Sequence, residues 1–142
     1  MTRIALPDEA ATAALAARLA AGARPGGTFC LAGDLGSGKT TFVRHFLRAL
    51  GFRGDVPSPT FNLVLTYDVV LPDGKPVTIW HVDLYRVEHP DELDELGLDE
   101  AMTDGIVFVE WPDRLGDLTP PDAIWLRFDL DGADRWVEGE TL

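Results

Sequence analysis

The sequence predicts a three-layer α/β fold, in which helices flank a central sheet of both parallel and antiparallel strands. Residues 28–32 form an apolar run of strand length that leads directly into a glycine-rich loop and then an amphipathic helix. Further along, strand-like segments at 61–67 and 77–82 are joined by a Pro-Asp-Gly-Lys-Pro turn, which implies an antiparallel hairpin. A hairpin beside a strand–loop–helix unit requires a mixed sheet.

The N-terminal elements are a helix, a strand and a second helix. Pro7 opens the first helix, with Asp8 in its acidic first turn, and Gly22 ends it. The strand at 28–32 follows. The second helix places its apolar side chains on one face, and Gly51 stands where it should end. These apolar side chains are Phe42, Val43, Phe46, Leu47 and Leu50.

The second half of the chain begins with a stiff, extended connector at 55–60, where each proline disfavours helix in the residue before it. After the hairpin, Pro90 begins an acidic helical stretch that breaks near Gly97. Further strands are predicted at 106–109, at 123–130 and around Trp136. The sequence shows no repeat and no linker, so we expect residues 1–142 to form one P-loop domain.

Composition limits the classes of protein to consider. No apolar run approaches the length of a membrane helix, and no secretion signal is recognisable at the N-terminus. Cys30 is the single cysteine and lies in an apolar strand, so we expect a core residue rather than a redox or metal group. These observations favour a cytoplasmic protein that does not engage a membrane.

The charge balance bears on partners. A formal net charge of −12 repels phosphate backbones and disfavours direct nucleic-acid binding. Many acidic residues fall between Glu88 and Asp104. This acidic segment is either a solvated helix face or a docking surface for a basic protein, and the sequence leaves both readings open.

Residues 33–40 read Gly-Asp-Leu-Gly-Ser-Gly-Lys-Thr and match the phosphate-binding loop G-x-x-x-x-G-K-[ST]. In such a loop, glycines let backbone N–H groups converge on phosphate oxygens, and a lysine such as Lys39 bridges the terminal phosphates. The Thr40 hydroxyl is placed to ligate Mg²⁺. Because strand, loop and helix occur in this order, the sequence predicts a P-loop NTPase fold that binds a nucleoside triphosphate.

A P-loop also needs an acid that holds the metal, usually at the end of a neighbouring buried strand. Two candidates qualify. Glu110 follows four apolar residues, and Asp83 ends the strand that begins near residue 77. One carboxylate would fix the ion while the other orients or deprotonates water, and the pattern alone does not assign the two roles.

These residues carry a resemblance to the bacterial TsaE (YjeE) family, the small ATPase of the tRNA threonylcarbamoyladenosine pathway. The shared P-loop is common to many NTPases, whereas the other shared motifs are specific in combination. The matching segments occur in family order and are Leu-Pro-Asp-Glu at 6–9, the P-loop through Thr41, Ser-Pro-Thr-Phe at 58–61, His-Val-Asp-Leu-Tyr-Arg at 81–86 and Val-Glu-Trp-Pro at 109–112.

The resemblance implies an activity, cofactors and partners. Family members bind ATP with Mg²⁺, hydrolyse it slowly alone and engage the TsaB–TsaD pair, whose TsaD performs the transfer to adenosine. A chain that serves through these proteins needs no strong direct contact with tRNA. This expectation agrees with the acidic composition.

The resemblance also implies roles for site residues. Thr40 and Glu110 resemble the Mg²⁺ ligands, and Asp83 resembles the acid needed for hydrolysis. Thr60 lies in a segment similar to a switch that senses the γ-phosphate, and with Lys39 it completes the expected catalytic set. The expected nucleotide-binding residues are Asp34, Leu35, Gly36, Ser37, Gly38, Lys39, Thr40 and Thr41, with Glu9 and Arg135 on the adenine side.

Other residues of the shared motifs keep two interpretations. Trp111 either reports or gates nucleotide occupancy, or packs on the sheet as a partly buried aromatic residue. Tyr85 and Arg86 either contact the partner or brace the site, and a cis arginine finger at Arg86 is the weaker idea. His81 is expected to be packed or hydrogen-bonded rather than to act as a base.

Three other functions compete with the ATPase. A small-molecule kinase shares the P-loop, but such kinases usually carry an arginine-rich lid, which this sequence does not show. A GTPase is disfavoured because no Asn-Lys-x-Asp guanine-reading motif occurs. A non-catalytic nucleotide sensor, in which ATP only locks a binding surface, remains open.

Overall fold

A computed structural model describes residues 1–60, 63–89, 91–140 and 142. A seven-stranded sheet runs through the structure in the order β1-β7-β6-β2-β5-β4-β3. The strands are β1 (Thr2–Ala5), β2 (Thr28–Ala32), β3 (Val64–Val70), β4 (Pro76–Asp83), β5 (Ile106–Glu110), β6 (Ile124–Asp131) and β7 (Asp134–Gly139). The helices are α1 (Glu9–Ala21), α2 (Lys39–Ala49), α3 (Asp91–Glu95), α4 (Leu98–Asp104) and a 3₁₀ helix (Pro112–Leu118).

The centre of the sheet is parallel and its margins are antiparallel. Strands β6, β2, β5 and β4 are neighbours that run in one direction, whereas β7 and β1 on one side and β3 on the other pair antiparallel. The carboxyl ends of the four parallel strands therefore meet at one edge. In such sheets ligands bind outside this edge.

Helices cover the sheet on both faces. Alternate residues of β2 point to opposite sides, so Phe29 and Leu31 join the core formed with α1 and α2, while Cys30 faces the core formed with α3 and α4. On the α2 side, the Phe108 ring lies 4.9 Å from Phe29 and 4.8 Å from Phe46, measured between ring centroids. The predicted three-layer α/β fold with a mixed sheet is thus confirmed, and this aromatic packing fixes α2 against the sheet.

Some predicted boundaries are wrong by a few residues. The first helix begins at Glu9 rather than Pro7, because the Asp8 carboxylate caps it by accepting a hydrogen bond from the Ala11 amide at 2.9 Å. The hairpin strand begins at Val64 rather than at residue 61, since the preceding Leu63 has a φ of 65° that a strand cannot accommodate. Phe61 itself and Pro90, the predicted start of the acidic helix, lie outside the described residues.

Two elements were not predicted. Strand β1 is short and mostly exposed, and it pairs with β7 at the margin of the sheet. The 3₁₀ helix follows β5 directly. No helix in the part of the chain that the structure describes combines the length and the hydrophobicity that a membrane span requires.

Candidate functional site

The loop between β2 and α2 is built around glycines with left-handed backbone angles. The φ values of Gly33, Gly36 and Gly38 are 137°, 80° and 112°. At Gly33, a Cβ atom would lie 2.4 Å from the carbonyl oxygen of Phe128 on β6, so no side chain fits there. The loop therefore lies close against β6 in a conformation that residues other than glycine rarely adopt.

The N-terminus of α2 is open to an anion. Its N-cap residue is Gly38, which supplies no side-chain hydrogen bond, and the first turn contains no acidic residue. The amide groups at a helix start carry partial positive charge and lack partners within the helix. Such an end, preceded by a glycine-rich loop, is suited to bind phosphate.

Lys39 lies at this helix start with only 8% of its surface exposed. Its Nζ donates a hydrogen bond to the Gly33 carbonyl oxygen at 2.5 Å and lies 3.6 Å from Oε1 of Glu110. The ammonium group is therefore folded against the loop and against the end of β5. A phosphate at the mouth of the loop would offer it a stronger acceptor.

The two acids predicted from the sequence stand side by side. Asp83 and Glu110 are register partners at the ends of β4 and β5, with 4% and 5% of their surfaces exposed. Oδ1 of Asp83 accepts a hydrogen bond from the Tyr85 amide at 2.9 Å. Glu110 instead faces Lys39 and His81. The two carboxylates thus share one edge but have different environments.

The charge state of Glu110 follows from these contacts. Burial alone would raise the pKa of its carboxyl group. The hydrogen bond and charge of His81, together with the charge and hydrogen bonding of Lys39, outweigh burial and lower the pKa below its ordinary value. Glu110 is therefore an ionised carboxylate at neutral pH, and its oxygens can serve as metal ligands.

The loops that follow β4 and β5 are tied together. The Leu84 amide donates to the Glu110 carbonyl at 3.1 Å, and Arg114 donates to the Val87 carbonyl at 3.0 Å. The rings of Tyr85 and Trp111 lie 5.0 Å apart. Trp111 is 45% exposed and has a φ of 58°, a backbone angle that bulky residues seldom adopt. Tyr85 thus braces Trp111 beside the two acids.

Cavities flank the P-loop on two sides. One of about 250 Å³ contains Lys39 and Trp111, and another of about 270 Å³ contains Glu9 and Arg135. The second cavity brings Glu9 and Arg135, which lie near opposite ends of the sequence, next to the loop residues Ser37 and Thr41. The lining of the first is Leu31, Ala32, Gly33, Asp34, Lys39, Trp111, Pro112, Asp113, Arg127 and Asp129.

The remaining site residues that the sequence predicts differ in their exposure and contacts. Asp34, Leu35 and Gly36 are exposed in the loop, and Thr40 and Thr41 are half-buried in the first turn of α2. Thr60 hydrogen-bonds to Ser58, with 2.7 Å between the two hydroxyls. Thr60 does not line either of the two cavities beside the loop.

Sequence reasoning overlooked two charged residues in this region. Arg127 and Asp129 lie on β6 and line the same cavity as Lys39. The alternation of exposed and buried residues along β6 places both side chains on one face of the strand, and this alternation is the feature that indicates them. No motif marks them, because their proximity to the loop comes from the parallel pairing of β6 with β2.

The residues at this edge suit a hard divalent cation. The Thr40 hydroxyl and the Glu110 carboxylate offer oxygen ligands, which Mg²⁺ prefers. Within the described ranges, no group of three or more His, Cys, Asp and Glu residues is arranged to hold a metal ion. A cation here would complete its coordination with water and phosphate oxygens, as Mg²⁺ in nucleotide sites commonly does.

Comparison with known proteins gives a consistent result. The model of the family described as threonylcarbamoyl adenosine biosynthesis protein TsaE matches residues 6–137. This match extends past the last motif recognised in the sequence and includes Arg135.

Individual relatives and a solved structure agree. The tRNA threonylcarbamoyladenosine biosynthesis protein TsaE of Bacillus subtilis is 40% identical over 131 residues, which cover 91% of this chain and 77% of that protein. The protein of the same name from Rickettsia conorii is 40% identical over 132 residues, covering 92% and 73%. The crystal structure of Bacillus subtilis YdiB superposes with a TM-score of 0.76 at 28% identity, over 97% of this chain and 83% of that one.

Proposed function

Because the chain belongs to the TsaE family of tRNA threonylcarbamoyladenosine biosynthesis proteins, we propose that it is a Mg²⁺-dependent ATPase of that pathway. In this proposal, the chain binds ATP with Mg²⁺ at the P-loop and hydrolyses it slowly alone. Its nucleotide state governs association with the TsaB–TsaD pair and so supports repeated turnover of the modifying complex.

One observation carries the proposal above all. The N-terminus of α2 has no capping side chain and no acidic residue in its first turn, and Lys39 lies there beside the ionised Glu110. These groups would bind a phosphate chain through loop amides, the helix dipole and the lysine charge together. A glycine turn that serves only the fold needs neither the buried lysine nor the acid.

Thr40 and Glu110 are proposed to hold the metal ion. A bound Mg²⁺ supplies charge neutralisation for the terminal phosphates. The ammonium group of Lys39 balances the charge of Glu110 across 3.6 Å. Binding of the triphosphate would draw the ammonium group toward phosphate oxygens and leave the carboxylate available to the cation.

Asp83 is proposed to act on the attacking water. Its carboxylate is buried at the same edge as Glu110, and the Tyr85 amide fixes one of its oxygens. A carboxylate held in this way can accept a hydrogen bond from water and orient it. Thr60 is proposed to respond to the γ-phosphate from the connector that precedes β3.

The cavity with Glu9 and Arg135 is proposed to take the adenine side of the nucleotide. Both residues line it together with Ser37, Gly38 and Thr41 of the loop. The Glu9 carboxylate accepts a hydrogen bond from His45 of α2 at 2.8 Å, which ties the first turn of α1 to α2.

Protein partners fit the surface charge better than tRNA does. The acidic residues of α3 and α4 are exposed, whereas Leu93 and Leu98 of the same two helices are buried in the core. With a net charge of −12, the chain repels a phosphate backbone. We propose that association with TsaB and TsaD proteins links this chain to the modification.

The decisive variant is Asp83→Asn. The amide is isosteric with the carboxylate and can still accept the Tyr85 hydrogen bond, so we expect ATP affinity to be kept. Removal of the base should reduce phosphate release about 10²–10⁴-fold in the presence of TsaB–TsaD. Calorimetry measures ATP binding, and a phosphate assay measures release. Asp73→Asn in the exposed β3–β4 turn is the control and should behave as the original chain.

The same experiment separates the alternatives. A sensor would bind ATP tightly and associate with TsaB–TsaD, yet release no phosphate above background. A kinase would transfer phosphate to a small acceptor and respond to that acceptor rather than to the proteins. Either result would contradict the ATPase proposal.

A further inference from the structure

We propose that His81 is a positioning residue that holds Glu110 so that a single carboxylate oxygen, Oε1, is presented to the metal ion. This inference rests on the proposed function, because it concerns the cation that accompanies ATP.

The contact between His81 and Glu110 is short and fully buried. Nε2 of His81 lies 2.6 Å from Oε2 of Glu110, and the imidazole has no exposed surface. An ionised carboxylate only accepts hydrogen bonds, so the ring donates from Nε2. Since β4 and β5 are adjacent parallel strands, the sheet itself sets the separation between these two residues.

The two oxygens of Glu110 have different neighbours. Oε2 is taken by His81, whereas Oε1 faces the ammonium group of Lys39 at 3.6 Å. The positively charged ammonium group of Lys39 therefore lies next to Oε1. When Lys39 turns to phosphate, Oε1 is the oxygen left without its charged partner, and His81 prevents the carboxylate from rotating away.

Packing alone does not explain a histidine at this position. Its second ring nitrogen, Nδ1, is buried and has no hydrogen-bond partner among the residues that the structure describes. The centroid of the Phe108 ring lies 6.5 Å from that of the imidazole, and this ring offers no hydrogen-bond acceptor of the kind Nδ1 would need. A buried polar atom without a partner costs free energy, and an apolar side chain would avoid that cost. The hydrogen bond from Nε2 to Glu110 requires a donor, which an apolar side chain does not have.

Substitution of a residue that orients a metal ligand in this way typically lowers the metal affinity about 10–100-fold. Accordingly, His81 should matter for Mg²⁺ more than for ATP itself. The measurable quantity is the free Mg²⁺ concentration that gives half of the metal-dependent gain in ATP affinity, determined by calorimetry in metal-buffered solution. ATP affinity in EDTA measures the nucleotide site without the cation.

Three substitutions separate positioning from packing. His81→Gln places an amide nitrogen where Nε2 lies, so it should leave the Mg²⁺ midpoint within about threefold. His81→Asn is one carbon shorter and His81→Leu has no donor, so both should raise the midpoint about 10–100-fold. ATP affinity in EDTA should be unchanged in all three, and thermal unfolding shows whether each variant folds.

The outcomes are distinct. An unchanged Mg²⁺ midpoint in folded His81→Leu, or equal losses in the Gln and Asn variants, would overturn the positioning role. If His81→Leu fails to fold, the comparison of Gln with Asn decides. Absence of any Mg²⁺-dependent ATP binding in the original chain would instead refute the proposed function, and this inference with it.

Discussion

Asp83 and Glu110 are register partners at the carboxyl ends of the neighbouring strands β4 and β5, yet their side chains have different partners. Glu110 is held between Lys39 and His81, whereas Asp83 accepts a hydrogen bond from the backbone of its own loop. In the function proposed above, Glu110, which contacts Lys39, accompanies the cation beside the phosphates, and Asp83 acts on water.

Lys39→Ala should reduce ATP affinity about 10–100-fold, because a charge-assisted hydrogen bond is worth about 1.5–3 kcal/mol. The control is Lys75→Ala, which removes the other lysine of the chain from the exposed hairpin turn. Calorimetric titration with MgATP measures both. Equal affinities in the two variants would show that the loop does not bind the triphosphate.

Gly33→Ala should damage both stability and nucleotide binding. The added Cβ would meet the Phe128 carbonyl oxygen at 2.4 Å, and the φ of 137° is unfavourable for alanine. Overpacking alone costs about 1–3 kcal/mol. Gly22→Ala is the control, because a Cβ atom there would lie 4.0 Å from the carbonyl oxygen of Leu19, an ordinary contact distance. It should change the free energy of unfolding by less than about 0.5 kcal/mol. Urea unfolding that does not distinguish the two variants would contradict the loop geometry.

The pH dependence of stability should carry a signature of Glu110. Its pKa is lower in the folded protein than its ordinary value of 4.5, so its ionised form stabilises the fold. This contribution is complete above pH 4.5 and is lost as the pH falls through the lower, folded-state pKa. The difference in unfolding free energy between the original chain and Glu110→Gln, both metal-free, should therefore shrink below pH 4.5. A difference that grows on acidification would mean that the pKa is raised.

Cys30 should be chemically inert in the folded protein. Burial raises the pKa of its thiol to about 12, and the side chain has no exposed surface. A disulfide reagent at about pH 8 should label no thiol in native buffer and one thiol after unfolding in urea. Rapid labelling without denaturant would show that this part of the α3–α4 core opens readily.

Much of the fold could be predicted because local signals agree with the tertiary structure. Strand β2 was predicted at its observed bounds, and the end of α2 was marked correctly by Gly51, whose φ is 92°. There the amides of Gly51 and Phe52 return to the last turn of the helix, which a left-handed glycine permits. Hydrophobic pattern and turn chemistry both act over a few residues, so sequence reveals them.

Strand β1 could not be predicted on the same basis. Only Ile4 of its residues is even half-buried, so the segment shows no apolar alternation. It is a strand because the edge of β7 offers unpaired backbone groups, and this edge exists only after β6 and β7 have joined the sheet. The 3₁₀ helix likewise depends on its position after β5 rather than on a periodic pattern.

The candidate site likewise has residues that the sequence predicts and contacts that it does not predict. A contiguous motif revealed the P-loop, and strand-end positions revealed Asp83 and Glu110. The contact of His81 with Glu110 joins residues 29 positions apart and depends on the order of strands in the sheet. The grouping of Arg127 and Asp129 with Lys39 has the same origin. Sequence motifs can identify the candidate site residues, but the order of strands in the sheet determines which other residues they contact.

The activity proposed for this chain is hydrolysis of ATP in the service of a protein complex. The most direct test measures phosphate release from MgATP by the purified chain, alone and with the TsaB–TsaD pair added. We predict slow release alone and a clear increase with the pair, both abolished by EDTA and by Asp83→Asn. Tight ATP binding with no phosphate release under either condition would contradict the proposed ATPase activity.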